Sequence, residues 1–360
     1  MRRASEWTIG AVVVLVAVLS MQGVVCALPY TKGDIFASVG NGLVKEFTPA
    51  GTLVQVLNTT TGSSEVTGSA FDSSGNFYVT GFQTSTLSKF DNSGTLLTAN
   101  LIAGHNPVNN ESLVFDNSGN FYVGGAGGNI IREFTSSGTL LNTFTVTVGP
   151  RGTDWIDLAA DQHTIFYTSE GGSIRRFDTA TNTQLPDFTN SLGGESFALR
   201  LLPDGGALVA HTSNVLRLNS SGAVVQTYTI PAGTFLFALN LDPDGTTFWT
   251  GNLSGTGTVF HVRISDGAIL GQFNTVQPGG FDLAGLTVFG EITQGCPDCG
   301  GGGPLGFLHP ARSSFWARAL SACPFSSAWH EDRHCFEMPS FDLRWPQMEL
   351  RRTARKDLLK

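Results

Sequence analysis

The sequence predicts an all-β fold, a six-bladed β-propeller of four-stranded antiparallel blades, on three observations. A hairpin phrase recurs along the chain, it recurs at a nearly constant interval, and the repetitive body is long enough for six copies.

The phrase is clearest as Phe71-Asp72-Ser73-Ser74-Gly75-Asn76-Phe77-Tyr78-Val79 and Phe115-Asp116-Asn117-Ser118-Gly119-Asn120-Phe121-Tyr122-Val123. Looser copies run from Ala160 to Thr168, from Leu201 to Val209 and from Leu241 to Thr250. Their second positions, at 72, 116, 161, 202 and 242, are spaced by 44, 45, 41 and 40 residues. Each copy is an apolar strand, a turn built from Asp, Ser and Gly, and a strand rich in aromatic and β-branched residues, which is a hairpin signature. A second hairpin follows each one. Its first strand lies at Leu87–Phe90, Ile130–Phe134, Ile174–Phe177, Val215–Leu218 and Val259–Ile264. Two hairpins per repeat make one four-stranded blade.

The ends of the body supply the sixth. Asp34–Val39, Leu43–Phe47 and Leu53–Leu57 are three strands without an inner partner, and Phe281–Ile292 holds one strand without followers. Joined, they close the ring with both termini and remove the free edges that an open sheet exposes. Residues 33–292 then divide into six units of about 43 residues.

Composition agrees and excludes other classes. Of 360 residues, 41% are hydrophobic, 14% are charged and 44 are Gly. A disordered chain has low hydrophobicity and high net charge, and a coiled coil is rich in Ala, Glu, Lys, Leu and Arg at helical spacing. A net charge of −8 argues against nucleic acid, which calls for a basic stripe. No phosphate-binding glycine loop, nucleophile elbow or dinucleotide fingerprint occurs in the sequence.

The first 27 residues read as a cleaved secretory leader. Met1-Arg2-Arg3 precedes an apolar stretch that is densest at Ala11–Leu19, too short for a bilayer span of about 20 residues, and Val25-Cys26-Ala27 offers a cleavage site after Ala27. The chain is therefore expected outside the cytoplasm, secreted or periplasmic, and not integral to a membrane once the leader is removed. Residues 28–295 form the propeller and 296–303 a Cys- and Gly-rich linker. Residues 304–360 are a tail of different character, with nine Lys and Arg against six Asp and Glu and none of the repeat. The tail is set apart as disordered or as the product of a shifted reading frame. Within it, His330-Glu331-Asp332-Arg333-His334 matches a zinc-protease motif in letters, but charged residues fill its centre; Cys296-Pro297-Asp298-Cys299, with Cys323 and Cys335, is open to disulfides, free thiols or half a zinc site. Asn58, Asn110, Asn219 and Asn252 each open a glycosylation sequon.

The repeated Asp-x-x-Gly-Asn-Phe-Tyr-Val and Phe-Asp-x-x-Gly phrases resemble the six-bladed propellers with NHL-type repeats, a group that includes gluconolactonase/senescence-marker-like and streptogramin-lyase-like proteins. The resemblance covers residues 33–292 and speaks for architecture more than for activity. One departure stands out: near the place where the NHL pattern has an Asp after the second strand, this chain has Gly81, Gly125, Glu170, His211 and Asn252.

Candidate site residues follow from the geometry of a propeller. Loops entering the inner strand and loops joining the second strand to the third share one face, the mouth of the central channel, and the Asp-Ser-Gly turns share the other. Asp72, Asp116 and Asp242 are thereby assigned to turn capping. Counting back from the repeat places Glu65, Asp154 and Glu195 at the mouth as candidate metal ligands, with Asn109 and Asn110 beside them; Ca²⁺ or another divalent cation binds through such oxygens. The resemblance implies a similar site, in which a metal polarises a lactone carbonyl. Arg151, Glu170 and His211 complete the candidate ligand-binding set, and His211 is the candidate general base.

Three readings stay open. One is an exported monomeric module that binds a small molecule, glycan or protein at the channel mouth. The second is a metal-dependent lactone or ester hydrolase, with a lyase as its variant. The third is a structural component of an envelope or matrix.

Overall fold

The computed structural model describes residues 29–231, 233–253, 257–275 and 283–295. The leader, the cysteines of the linker and the whole tail, with its His330–His334 motif, lie outside them. Among the described residues no helix is long and apolar enough to cross a membrane.

Twenty-four strands form six four-stranded sheets. The first blade pairs β24 (Gly285–Val288) with β1 (Ile35–Ser38), β2 (Leu43–Phe47) and β3 (Leu53–Asn58). Ile35 faces Val288 and Ser38 faces Gly285 across the β1–β24 ladder, so the two ends of the body close the ring as the repeat count requires. The other five blades are consecutive runs of the chain. Their inner strands are β4 (Val66–Phe71), β8 (Asn110–Phe115), β12 (Ile156–Leu158), β16 (Ser196–Leu201) and β20 (Leu236–Leu241).

The turns behave as their sequence dictates. Asp72 Oδ1 accepts hydrogen bonds from the Ser74 and Asn76 amides at 3.0 and 2.9 Å, and Asp116 Oδ1 repeats this with Ser118 and Asn120 at 2.9 and 2.8 Å. Asp242 works differently. It accepts from the Thr247 hydroxyl, from Trp249 Nε1 at 2.9 Å and from His261 Nε2 at 2.7 Å, and so braces three strands' worth of its blade. One expectation needs correction here. The Ala159 amide, not that of Asp161, bonds across the hairpin to Thr164, so Ala159 is the equivalent of Asp72 and Asp116. Asp161 sits inside a turn one residue longer.

Neighbouring inner strands touch around the axis, and that contact sets their composition. A Cβ on Gly68 would collide with the Glu111 carbonyl and with Ser112 Cα, and one on Gly285 would collide with the Thr67 carbonyl. Ser69 and Thr287 hydroxyls bond across the β4–β24 contact. Between blades the sheets pack face to face through Phe and Tyr: Phe36, Phe71 and Phe77 lie within 5.1 Å of one another between the first and second blades, and Tyr78, Phe115 and Phe121 continue the pattern to the third.

The chain that follows β24 reaches the end of the channel opposite the mouth, beside a cavity lined by Ala70, Leu113, Asp157, Arg200 and Glu291. Glu291 enters the channel, where Oε1 accepts from Arg200 Nε and from the Leu241 amide, both at 2.7 Å, and Oε2 accepts from Asn240 Nδ2 at 2.9 Å. Asp157 lies beside this group, its carboxyl pushed up to about 6 by burial against the opposing pull of Arg200. Farther along, the Gln294 carbonyl accepts from Gln162 Nε2 at 3.1 Å. A five-residue segment therefore ties the first blade to the fourth, fifth and sixth.

Breaking such a pair from one side leaves an uncompensated buried charge, which costs about 3–5 kcal/mol. Glu291→Ala is expected to lower the unfolding free energy by that amount, read as a lower urea midpoint at an unchanged m-value. Gly68→Ala is expected to cost about 1–3 kcal/mol by overpacking, measured the same way.

Candidate functional site

At the mouth end, side chains from three blades converge on Arg151. Glu111 follows Asn110 at the start of β8, Asp154 stands just ahead of β12, Glu170 occupies the loop after β13 (Thr164–Tyr167), and Glu65 precedes β4. Glu170 Oε2 lies 3.5 Å from Arg151 Nε, and Glu111 Oε2 lies 4.0 Å from a terminal guanidinium nitrogen. The guanidinium also covers the Phe82 ring, 5.6 Å from its centroid. Its side chain keeps 41% of its surface exposed, whereas that of Glu111 keeps 3%. Arg151 thus lies over a buried acid.

Glu111 and Asp154 form a pair. Both are buried, and they hydrogen-bond to each other, so one proton is shared between them. Burial raises the Glu111 carboxyl well above the usual range; the Asp154 charge and the shared bond add to this, and Arg151 opposes it. Burial also raises Asp154 to about 6, against the lowering effect of the Glu111 hydrogen bond and of Arg151. The guanidinium responds in the opposite sense: burial works against its charge, and Glu170, Glu111, Asp154 and Glu65, in that order, outweigh it. Apart from the shared proton, no donor among the described residues satisfies Asp154 Oδ1, Asp154 Oδ2 or Glu111 Oε2, and Arg151 Nε is itself buried without an acceptor.

The structure brings some predicted residues together and leaves others apart. Asp154, Arg151 and Glu170 belong to the cluster, with Glu170 held at φ 46°, a left-handed conformation unusual for Glu. Glu65 is at its margin, accepting from Gln83 Nε2 at 2.8 Å. Asn110 is fully buried and gives its amide nitrogen to the Thr86 carbonyl at 3.2 Å. Asn109, at φ 54°, uses its backbone: its amide donates to Ser85 Oγ at 2.9 Å and its carbonyl accepts from Ala126 at 3.0 Å. Glu195 is half-buried, and its carbonyl receives the Thr212 amide at 3.2 Å. His211 ends β17 (Ala207–His211) instead of following it, and Nε2 donates to the Gly193 carbonyl at 2.8 Å. A carbonyl only accepts, so that nitrogen carries a proton, and the ring is anchored to a loop.

This donor set does not fit a resident divalent cation. A guanidinium stands where the metal's charge would be, Glu195 is not joined to Asp154, and among the described residues no three His, Cys, Asp or Glu side chains assemble as ligands. Of the sequons, Asn58 and Asn219 are exposed, whereas Asn110 and Asn252 are buried.

Glu111 was not among the predicted site residues, and the reason is the register at Ala159. With Ala159 as the repeat position, Glu111 and Asp154 occupy equivalent places in adjacent blades. The same place holds Thr67, Phe197, Phe237 and Ala284 in the other blades. Two neighbouring acids therefore share a ring with two neighbouring phenylalanines. Phe197 packs on Phe235 and Phe237 with centroids 4.8 and 5.4 Å away.

Comparison with solved structures places the fold in known company. A chain of the nidogen/laminin complex superposes with a TM-score of 0.56 at 14% identity, covering 71% of this chain and 98% of that one. A protein of unknown function from Bacteroides caccae gives 0.57 at 16% identity with the same coverage. At these identities the likeness is one of fold. No protein-family model and no curated protein matches the sequence.

The buried pair makes stability depend on pH with a definite sign. A carboxyl that binds its proton more tightly in the folded than in the unfolded chain favours folding most at low pH, and the benefit is lost as pH rises from its unfolded value near 4 through its folded value. For Asp154 the window runs from about 4 to about 6, and Asp157 acts in the same window and sense. Unfolding free energy measured by urea titration is expected to fall across that window. Glu111→Gln, which donates permanently to Asp154, is expected to flatten the fall by on the order of 2 kcal/mol.

Proposed function

We propose that this protein is an exported binding module that takes its ligand at the mouth of the propeller channel. One observation carries the reading: among the described residues, the buried pair Glu111 and Asp154 lies beneath the partly exposed Arg151 guanidinium, with Glu111 Oε2, both Asp154 oxygens and Arg151 Nε left without a protein N–H donor or an acceptor. Buried polar groups are ordinarily satisfied, and the exceptions concentrate where something else supplies the partner. A chain of the nidogen/laminin complex has the same fold, which is compatible with a binding role for such a ring.

Export rests on the leader in residues 1–27, and placement among NHL-type propellers rests on the repeated Asp-x-x-Gly-Asn-Phe-Tyr-Val phrases. Metal-dependent hydrolysis has no support in the donor set described above, and no chemical step is derived for it.

A ligand that binds only the folded chain stabilises it by RT ln(1 + [L]/Kd), about 2.7 kcal/mol at a hundredfold excess over Kd. Thermal unfolding of the full chain against a panel of saccharides, amino acids, amines, carboxylic acids and divalent cations is expected to reveal a class that raises Tm in the wild type and not in Asp154→Asn. A panel without effect, or a shift that survives the substitution, would overturn the assignment of the mouth.

A further inference from the structure

We propose that the ligand's recognised group is a primary ammonium ion carried on an apolar body, bound by the Glu111–Asp154 pair in competition with Arg151. The inference rests on the mouth being the binding site and goes on to name the chemistry that site selects.

Three observations lead to it. The cluster is acidic, with Glu65, Glu111, Asp154 and Glu170 all acting on Arg151. Its acceptors are short of donors: Asp154 is fully buried, and apart from the proton shared within the pair, neither of its oxygens nor Glu111 Oε2 receives a bond from a donor among the described residues. The cation already present satisfies charge and not geometry, since its closest approaches to the acids, 3.5 and 4.0 Å, are ion-pair distances outside normal hydrogen-bonding range. A compact ammonium has three donors that rotate freely, where guanidinium is a rigid planar fork. The smaller head can reach acceptors that the fork covers without engaging.

The apolar requirement comes from the ring position shared with the acids. Beyond Asp154, the next two blades place Phe197 and Phe237 there, and the half-buried Phe235 packs on Phe197. Phe197 and Phe237 are themselves buried, so the ring surface open to the carbon skeleton of a ligand whose ammonium sits on Glu111 and Asp154 is that of the half-buried Phe235. A hydrated metal ion would gain nothing from that ring.

The experiment is calorimetric titration of the full chain with 2-phenylethylamine near neutral pH and at fixed ionic strength, beside 2-phenylethanol and Ca²⁺. One-site binding of the amine is expected, with no binding of the alcohol, which lacks the charge. Asp154→Asn is expected to weaken the amine at least about tenfold, as loss of a charge-assisted hydrogen bond does. Arg151→Met is expected to strengthen it severalfold by removing the competitor. If Asp154→Asn does not unfold cooperatively, Glu111→Gln carries the same expectation.

Equal binding of amine and alcohol, Ca²⁺ binding in place of the amine, or weaker amine binding in Arg151→Met would each overturn the proposal. A non-amine ligand that protects the wild type but not Asp154→Asn, with phenylethylamine inert, would overturn the ammonium and leave the mouth as a binding site. Silence of both experiments would overturn both.

Discussion

Six inner strands crowd one axis, and every polar group they direct there has to be answered within the channel. Gly68 and Gly285 mark how close the backbones come, since at either position a methyl group would strike a carbonyl of the neighbouring blade. A buried donor or acceptor left unpaired there carries its full desolvation penalty. The chain resolves this differently at its two ends. Opposite the mouth Glu291 answers Arg200, Asn240 and the Leu241 amide together, so its charge has short, directed partners. At the mouth, Glu111 and Asp154 answer mainly one another.

That contrast separates two kinds of buried charge. Both ends contain a buried acid near an arginine, and a reading by residue type would treat them alike. The hydrogen bonds do not. Arg200 binds Glu291 at 2.7 Å and is itself buried, whereas Arg151 stands off from its acids and remains partly open to solvent. A charge held by short, directed bonds specifies a packing arrangement, and one left at ion-pair distance keeps capacity for another partner. The protonation behaviour of the mouth pair is the direct consequence of two acids sharing one dry position, as in other carboxyl dyads.

Architecture was legible in the sequence because the repeat writes the same local instruction many times. An Asp or Asn that caps two amides, a Gly after it and an aromatic strand beyond it form a hairpin wherever they occur, so small errors at one copy do not disturb the count. The closing blade was legible for a related reason: three strands at one end lacked what a single strand at the other supplied. Site residues carry no such redundancy. The turn at Ala159–Thr164 has one extra residue, and reading Asp161 as the repeat position displaced the projection in that blade. Asp154 was reached all the same, but its equivalence to Glu111 was hidden. Glu195 and His211 were placed near the mouth by the same counting, yet their partners, Thr212 and the Gly193 carbonyl, depend on how individual loops fold, which no periodicity encodes.

The guanidinium also decides between two ways of reading an acidic mouth. Carboxylates gathered for a metal are held apart by their own repulsion and oriented by outer partners toward one empty centre. Here the two most buried acids have closed on each other around a proton, and Arg151 neutralises the remainder from above. An acid pair that holds a proton when nothing is bound loses it to solvent when a positive charge comes close, because that charge stabilises the form that burial disfavours. On the binding proposed above, charge, proton and the covering arginine are therefore linked: an ammonium that takes the place of Arg151 leaves the pair more fully ionised than in the free protein.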